Sequence, residues 1–398
     1  MCVDYEGKVI NYKMGMLNIL YKMYLKIFEV SMQFTHTAKE ERDYLWKFSE
    51  PKNDFERSYY QYLCQIWKDN SVFRWLLMNI ASIGLILPIQ TYFRIQAKKK
   101  RHKKEYYDIV ATRDFIANNY NFDKHTKFLN FNSYVNGILE KEDLLFLRKV
   151  WEVSPFSFYF YFKCMCRVAS YSKIFSEYTL KNLYVSAEYS FTSSILTAYC
   201  ERNKVRHINV MHGEKTFSIQ DAFSRFHIFY VWDEFYIKLF HHLRADKTKY
   251  IVCRQNIPEF VPVYDSGKCT YYLQIHKSEE LKRIKQILDR MGLKYKVRPH
   301  PQHLSYKIKE IIGQEYVEDP FKVSIWDSLK EAGTVISIGS TVLLQAFWKG
   351  IPVIIDNISN PAYTEQLKER EYIMFDKEYE LLSDKLKAET IKKGSIKY

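Results

Sequence analysis

Apolar residues follow two different rhythms along this 398-residue chain. Up to about residue 100 they recur at helical intervals, as at Leu17, Leu20, Tyr21 and Tyr24. A first β-rich run is Tyr106–Ala111, and helical spacing returns from about 134 to 180. Beyond that point short β-branched and aromatic runs alternate with helical stretches. The first such segment predicts strand Asn182–Ala187, a helix over Thr192–Asn203 and strand Val205–Met211, with Phe229–Asp233 as a further buried strand. The second predicts strand Cys269–Gln274, helix Ser278–Met291 and strand Leu293–Val297, then a short helix before strand Glu315–Val317. It continues with helix Ser324–Ala332, strand Thr334–Ser337, helix Thr341–Lys349 and strand Ile351–Ile355. Alternation of this kind predicts parallel sheets covered by helices on both faces.

Asn256–Pro262 carries two prolines and reads as a linker between two such segments. The expected fold class is therefore α/β, with two Rossmann-like domains facing a cleft. A helical N-terminal extension occupies 1–104, the first domain 105–255, the second 265–375, and a helical tail 376–398. Ligands of such sheets bind outside the carboxyl ends of the strands.

Composition narrows the partners. Sixty Lys and Arg against 46 Asp and Glu give a net charge of +14, which suits nucleic acid, an acidic membrane surface or phosphorylated sugars. The basic residues are dispersed apart from Lys98–Lys104, and no nucleic-acid motif interleaves aromatics with them, so specific nucleic-acid recognition is not expected. Seven cysteines without a Cys-x-x-Cys pair fit a reduced, cytoplasmic setting, and no export signal is read at the N-terminus. The most apolar run, Trp75–Ile89, is shorter than the roughly 20 residues a transmembrane helix needs. Beside the basic Lys98–Lys104 run it has two readings. One is a buried helix followed by a solvated loop, and the other an apolar segment lying on an anionic leaflet.

The chemistry concentrates at predicted strand ends. In Ser337-Ile-Gly-Ser-Thr341 a strand runs into a helix, so Ser340 and Thr341 stand at a helix N-terminus suited to an anion, with Ser337 and Gly339 beside them. Arg298-Pro-His-Pro301 follows another strand of the same segment; its prolines fix the backbone around His300, and Arg298, His300 and Pro301 complete a candidate phosphate site. In the first domain, Met211-His-Gly-Glu-Lys215 ends a strand at the cleft. His212 is a candidate acceptor-orienting residue or base, and Gly213, Glu214 and Lys215 line the acceptor side. Glu188, ending the preceding strand, is the other candidate base. No Asp-x-Asp pair is present to hold a metal-bound diphosphate, so no cofactor or metal is expected and the transfer is read as metal-independent.

The His212-Gly213 pair, the Arg-x-His-Pro run at Arg298–Pro301 and the run Gly339-Ser-Thr-Val-Leu-Leu-Gln-Ala-Phe-Trp-Lys-Gly-Ile-Pro-Val-Ile354 resemble GT-B glycosyltransferases of bacterial surface polysaccharides. Within that fold they are similar to capsule-type Kdo transferases and bacterial sialyltransferases, covering roughly residues 180 to 356. The resemblance implies a CMP-sugar donor whose phosphate meets His300-Pro301 and Ser340-Thr341, and a glycan or glycolipid acceptor. It also implies a cytoplasmic protein peripheral on the inner face of the cell membrane. The acidic pair before Gly in which sialyltransferases place their base has no counterpart here. A UDP-sugar donor, or CDP-glycerol as in teichoic-acid-type glycerophosphotransferases, fits the same motifs. A nucleic-acid-binding protein is the alternative of another class.

Overall fold

The computed structural model describes residues 2–3, 9–10, 34–98, 104–111, 137–263, 265 and 267–395. The Leu17–Tyr24 helical reading and the basic residues 99–103 lie outside the described residues. The chain forms two compact units, one spanning Thr35–Ile257 and the other Pro258–Tyr398 with Phe34. Each is an α/β unit built on a five-stranded parallel sheet, a Rossmann-like arrangement.

The first unit begins with three helices, α1 (Ala38–Leu45), α2 (Asp54–Asp69) and α3 (Val72–Ala97). Thr37 and Glu40 form a capping box that starts α1, and Asn53 accepts the N–H groups of Phe55 and Glu56 to start α2. These helices are built into the unit rather than appended to it: Gln61 of α2 donates to the carbonyls of Glu188 and Gln220, each at 2.9 Å. Strand β1 (Glu105–Ala111), helices α4 (Lys141–Val153) and α5 (Phe158–Glu177), and β2 (Tyr178–Val185) follow. The rest is α6 (Ser193–Arg202), β3 (Arg206–Val210), β4 (Ile228–Val231), α7 (Glu234–His242) and β5 (Lys249–Val252). The strands lie side by side in chain order.

The apolar run Trp75–Ile89 is the middle of a longer helix: α3 holds 26 residues and keeps Pro88 inside it. The buried-helix reading fails, because within α3 only Trp75, Ser82 and Phe93 are buried.

The second unit contains β6 (Lys268–Leu273), α8 (Ser278–Met291), β7 (Lys294–Pro299), α9 (Tyr306–Ile312), α10 (Ile325–Lys330), β8 (Val335–Ser337) and α11 (Thr341–Trp348). It closes with β9 (Val353–Ile355), α12 (Pro361–Glu369), β10 (Glu380–Leu381) and α13 (Leu382–Ser395). Helix α8 matches its sequence reading because Leu281, Ile284, Ile287, Leu288 and Met291 recur on one face, and all five are buried against β6 and β7 side chains. Glu315–Val317 is no strand; it contributes a single bridge from Val317 to Val297.

Strand order in this sheet is β10-β9-β8-β6-β7. The unit's first strand thus lies between its second and third, the doubly wound order in which chain connections diverge to opposite sides between β6 and β8. That divergence leaves a crevice at the carboxyl ends of β6 and β8, the place where such sheets hold ligands. Gly333, just before β8, has φ +64°, and a Cβ there would meet the Asp265 carbonyl oxygen at 2.3 Å. Gly333→Ala is expected to cost about 2 kcal/mol or more from the left-handed backbone and the clash together. Thermal denaturation checks it: the midpoint falls by several degrees, and an unchanged midpoint refutes the packing described.

Candidate functional site

In the second unit, register decides which residues share the carboxyl edge. Leu273 of β6 pairs with Pro299 of β7, and Ile336 of β8 with Tyr271 of β6. His300, the Gln274–His276 segment and Gly339-Ser340 therefore leave the sheet at the same edge. Strands β7 and β8 are separated by β6 alone, so their ends stand about 10 Å apart at the backbone. A phosphate carrying a nucleoside and a sugar has the size to span that distance.

His300 lies exposed on the turn after β7, where the His303 N–H donates to its carbonyl at 2.8 Å. The Gln302 N–H donates to His300 Nδ1 at 3.2 Å. An Nδ1 that accepts has no proton, so the neutral ring carries its hydrogen on Nε2 and offers it as a donor. Desolvation by the surrounding chain holds His300 below the ordinary histidine range. His303, with its ring centroid 5.3 Å away, is held low by desolvation and by His300. Pro301 is exposed on the same turn.

Ser340 caps α11: its Oγ accepts the Val342 N–H at 3.3 Å. Its own N–H donates to the Tyr372 hydroxyl at 3.1 Å, which fixes the loop against the second unit's core. The hydroxyl hydrogen remains as a donor at the helix N-terminus, and Thr341 is the first helical residue beside it.

Three residues assigned to this site from sequence do other work. Arg298 is buried and its guanidinium is spent on Glu318 and on the Val323 carbonyl, the latter at 2.8 Å, so it braces the 318–323 segment instead of facing a ligand. Ser337 is fully buried and donates to the Tyr272 carbonyl at 2.8 Å. Gly339 is demanded by packing, because a Cβ would sit 2.5 Å from Leu367 Cδ1.

The structure also adds a residue that sequence reading passed over. His276, just beyond β6, is almost wholly buried, and its Nδ1 lies 3.3 Å from Glu280 Oε2. Glu280 is held by the Lys277 N–H at 3.0 Å and by Asn360 at 3.0 Å. Burial works to raise the Glu280 carboxyl, but the bonds from His276 and Lys277 outweigh it and keep it below the ordinary range. A carboxylate fixing one imidazole nitrogen orients the other, as in many catalytic and binding sites. The signal was in the sequence: His276 and Glu280 are four apart where a strand gives way to a helix.

In the first unit, Glu188 follows β2 and Met211–Lys215 follows β3. Glu188 is fully buried; its Oε2 accepts from Asn209 at 3.0 Å, and its Oε1 lies 2.9 Å from Lys215 Nζ. Burial pushes the Glu188 carboxyl up, yet Lys215 and these hydrogen bonds outweigh that and hold it below the ordinary carboxylate range. Asp221 lies 3.8 Å from the same ammonium, and burial lifts its carboxyl above the usual range. Glu188 and Lys215 are thus engaged with each other in a buried ion pair, which holds the carboxylate charged and turned to Lys215.

Gly213 turns the chain at φ +70°, with open space around its Cα. His212 is exposed, and its N–H points toward Glu188 Oε1 at 3.4 Å. Glu214 then accepts from the Tyr236 hydroxyl of α7 at 3.0 Å. Burial of its carboxyl tip pushes Glu214 up to about 8. A carboxyl that changes charge near neutral pH, at a strand's carboxyl end, has the properties of a general acid or base. Compared with known protein families and with curated proteins, the chain matches none of them.

Proposed function

We propose that the chain is a metal-independent nucleotide-sugar glycosyltransferase of the GT-B arrangement. The observation that carries this reading is the shared carboxyl edge of the second sheet. There His300 and Ser340 flank the segment after β6 that bears His276, at the β6/β8 divergence where doubly wound sheets bind ligands. In this reading a CMP-sugar phosphate accepts hydrogen bonds from His300 Nε2 and the Ser340 hydroxyl, with His276 beside it.

Transfer then proceeds without a covalent enzyme intermediate. Glu214 takes the proton of an acceptor hydroxyl, and the oxygen attacks the anomeric carbon. The bond from that carbon to the phosphate oxygen breaks, and the nucleotide leaves with the electron pair. Charge building on the departing phosphate is met by fixed donors in place of a divalent cation. His212 lies on the same turn as Glu214 and orients the acceptor. The reading places the protein in the cytoplasm, on the inner face of the membrane, where a nucleotide sugar would be supplied.

The test is donor consumption with a glycan acceptor in the presence of excess EDTA. Turnover of a CMP-sugar, unchanged by the chelator and lost in His300→Ala, supports the reading. A full loss on chelation contradicts metal independence, and turnover of a UDP-sugar or CDP-glycerol in place of the CMP-sugar reassigns the donor.

A further inference from the structure

Helix α3 presents a surface that the folded chain leaves uncovered. Of the 21 large apolar side chains exposed among the described residues, ten lie on this helix, from 39% exposure at Tyr92 to 79% at Val72. Leu76, Ile80, Ile83 and Leu87 run along its outer side. By length and composition the helix is apolar enough to cross a membrane, but very little of it is buried, so it is not the core helix of a soluble unit.

Its inner side decides the orientation. Near its start, Trp75 packs edge-on against Tyr62 and Tyr159, each at 5.5 Å, and Asn79 accepts the Tyr159 N–H at 3.1 Å. Near its end, the Phe93 carbonyl accepts the Leu139 N–H at 3.3 Å. Trp75 and Phe93 are about 27 Å apart along the axis. A helix bonded to one α/β unit at both ends of that span cannot also cross a bilayer, whose hydrocarbon core is about 30 Å thick. It can lie flat, with its outer side immersed.

Charge selects the surface it lies on. Arg74 at the helix start is paired with Asp69, so the basic end is the other one, where Arg94, Lys98 and Lys104 stand at or just beyond the helix, with Lys99, Lys100, Arg101 and Lys103 between them in sequence. No acidic residue occurs within α3. A second copy docking in parallel would bring the two basic ends together, whereas anionic headgroups neutralise that end. We infer that α3 is an in-plane membrane anchor whose apolar outer side enters the headgroup–acyl boundary of an anionic bilayer, with the flanking basic residues on the lipid phosphates.

The experiment is vesicle flotation of the full chain with phosphatidylcholine alone and with phosphatidylcholine mixed with phosphatidylglycerol. The protein is expected to float with the anionic vesicles, less so at high salt, and to be released by alkaline carbonate. The variant Leu76→Gln/Ile80→Gln/Leu87→Gln changes only exposed side chains, so it retains the fold, checked by circular dichroism. It is expected to partition about a thousandfold more weakly, since burying each of the three side chains contributes roughly tenfold. Lys98→Glu/Lys104→Glu should lose the preference for anionic lipid. A wild-type protein that stays with neither vesicle, or a folded triple variant that floats as well as wild type, overturns the inference. So does a wild-type dimer in lipid-free sedimentation that the triple variant dissociates, which would make the face a contact between copies. Resistance to carbonate extraction overturns the in-plane orientation.

Discussion

Replacing Lys215 by methionine is expected to destabilise the protein by about 3–5 kcal/mol at neutral pH, the scale for removing one partner of a buried ion pair. The Lys215 ammonium is 2.9 Å from Glu188 and 3.8 Å from Asp221, and all three side chains are largely or fully buried. Burial opposes its charge, but Asp221 and Glu188 outweigh that and hold Lys215 well above the ordinary lysine range. Without it, two carboxylates face each other out of water.

The pH dependence follows from the Glu188 shift. Its folded-state value is depressed, so its stabilisation is present above the unfolded value of 4.5 and is lost as pH falls through the lower folded value. In Lys215→Met that depression is gone, so the difference between variant and wild type should be largest near neutrality and shrink below about pH 4.5. Lys215→Met/Glu188→Gln should recover part of the loss, because one uncompensated charge is removed with its partner. Urea denaturation at several pH values measures all three proteins. A loss under about 1 kcal/mol at neutral pH would show that the network is solvated rather than buried.

On the proposed function, in which Glu214 is the base, Glu214→Gln is expected to lower transfer by about 10²- to 10⁴-fold, the usual range for removing a general base. Glutamine keeps an oxygen for the Tyr236 hydroxyl, so the loop retains its anchor. Wild-type activity should climb with pH and level off above an apparent value near 8, because the base acts only when ionised and burial delays its ionisation. In Glu214→Gln the residual rate should lack that rise. Stability runs the other way. The folded value exceeds the unfolded 4.5, so the group's contribution to stability falls as pH rises from about 4.5 to 8, and Glu214→Gln should be free of that decline. A variant with wild-type turnover and an unchanged pH profile rules out Glu214 as the base.

Much of the fold was legible because buried parallel strands write themselves as β-branched and aromatic runs, as in Val335–Ser337 and Val353–Ile355. Helix α8 was readable to the residue from its one-sided apolar repeat and the Gly292 that follows it. Edge strands were not: Lys249–Val252 and Glu380–Leu381 are short and partly exposed, so they carry no run of buried positions. The exposure of α3 was equally hidden. Its apolar residues occur all round the helix, and such a helix looks the same in sequence whether protein or lipid surrounds it.

The candidate site divides in a similar way. His300 and Ser340 were marked by local chemistry, a proline-fixed turn and a helix start. The roles of Arg298, Ser337 and Glu188 depend on partners far away in sequence, Glu318, the Tyr272 carbonyl and Lys215, and no local pattern announces such pairings. Glu214 shows the same dependence, since its shift comes from burial of its carboxyl tip, and Tyr236, whose hydroxyl it accepts from, lies in another element.

The central claim is that the carboxyl edge of the second sheet binds a nucleotide phosphate, and a thermal-shift panel with CMP, CDP, UMP, UDP and GDP tests it most directly. A ligand that binds only the folded chain stabilises it by about 2.7 kcal/mol at a hundred times its Kd. The account predicts that CMP raises the midpoint most, and that His300→Ala and Ser340→Ala each remove most of that rise, with the ligand-free midpoint near the wild-type value in His300→Ala and lowered in Ser340→Ala only by the roughly 1 kcal/mol of the lost helix cap. A panel in which no nucleotide moves the midpoint, or in which both variants keep the full CMP shift, contradicts it.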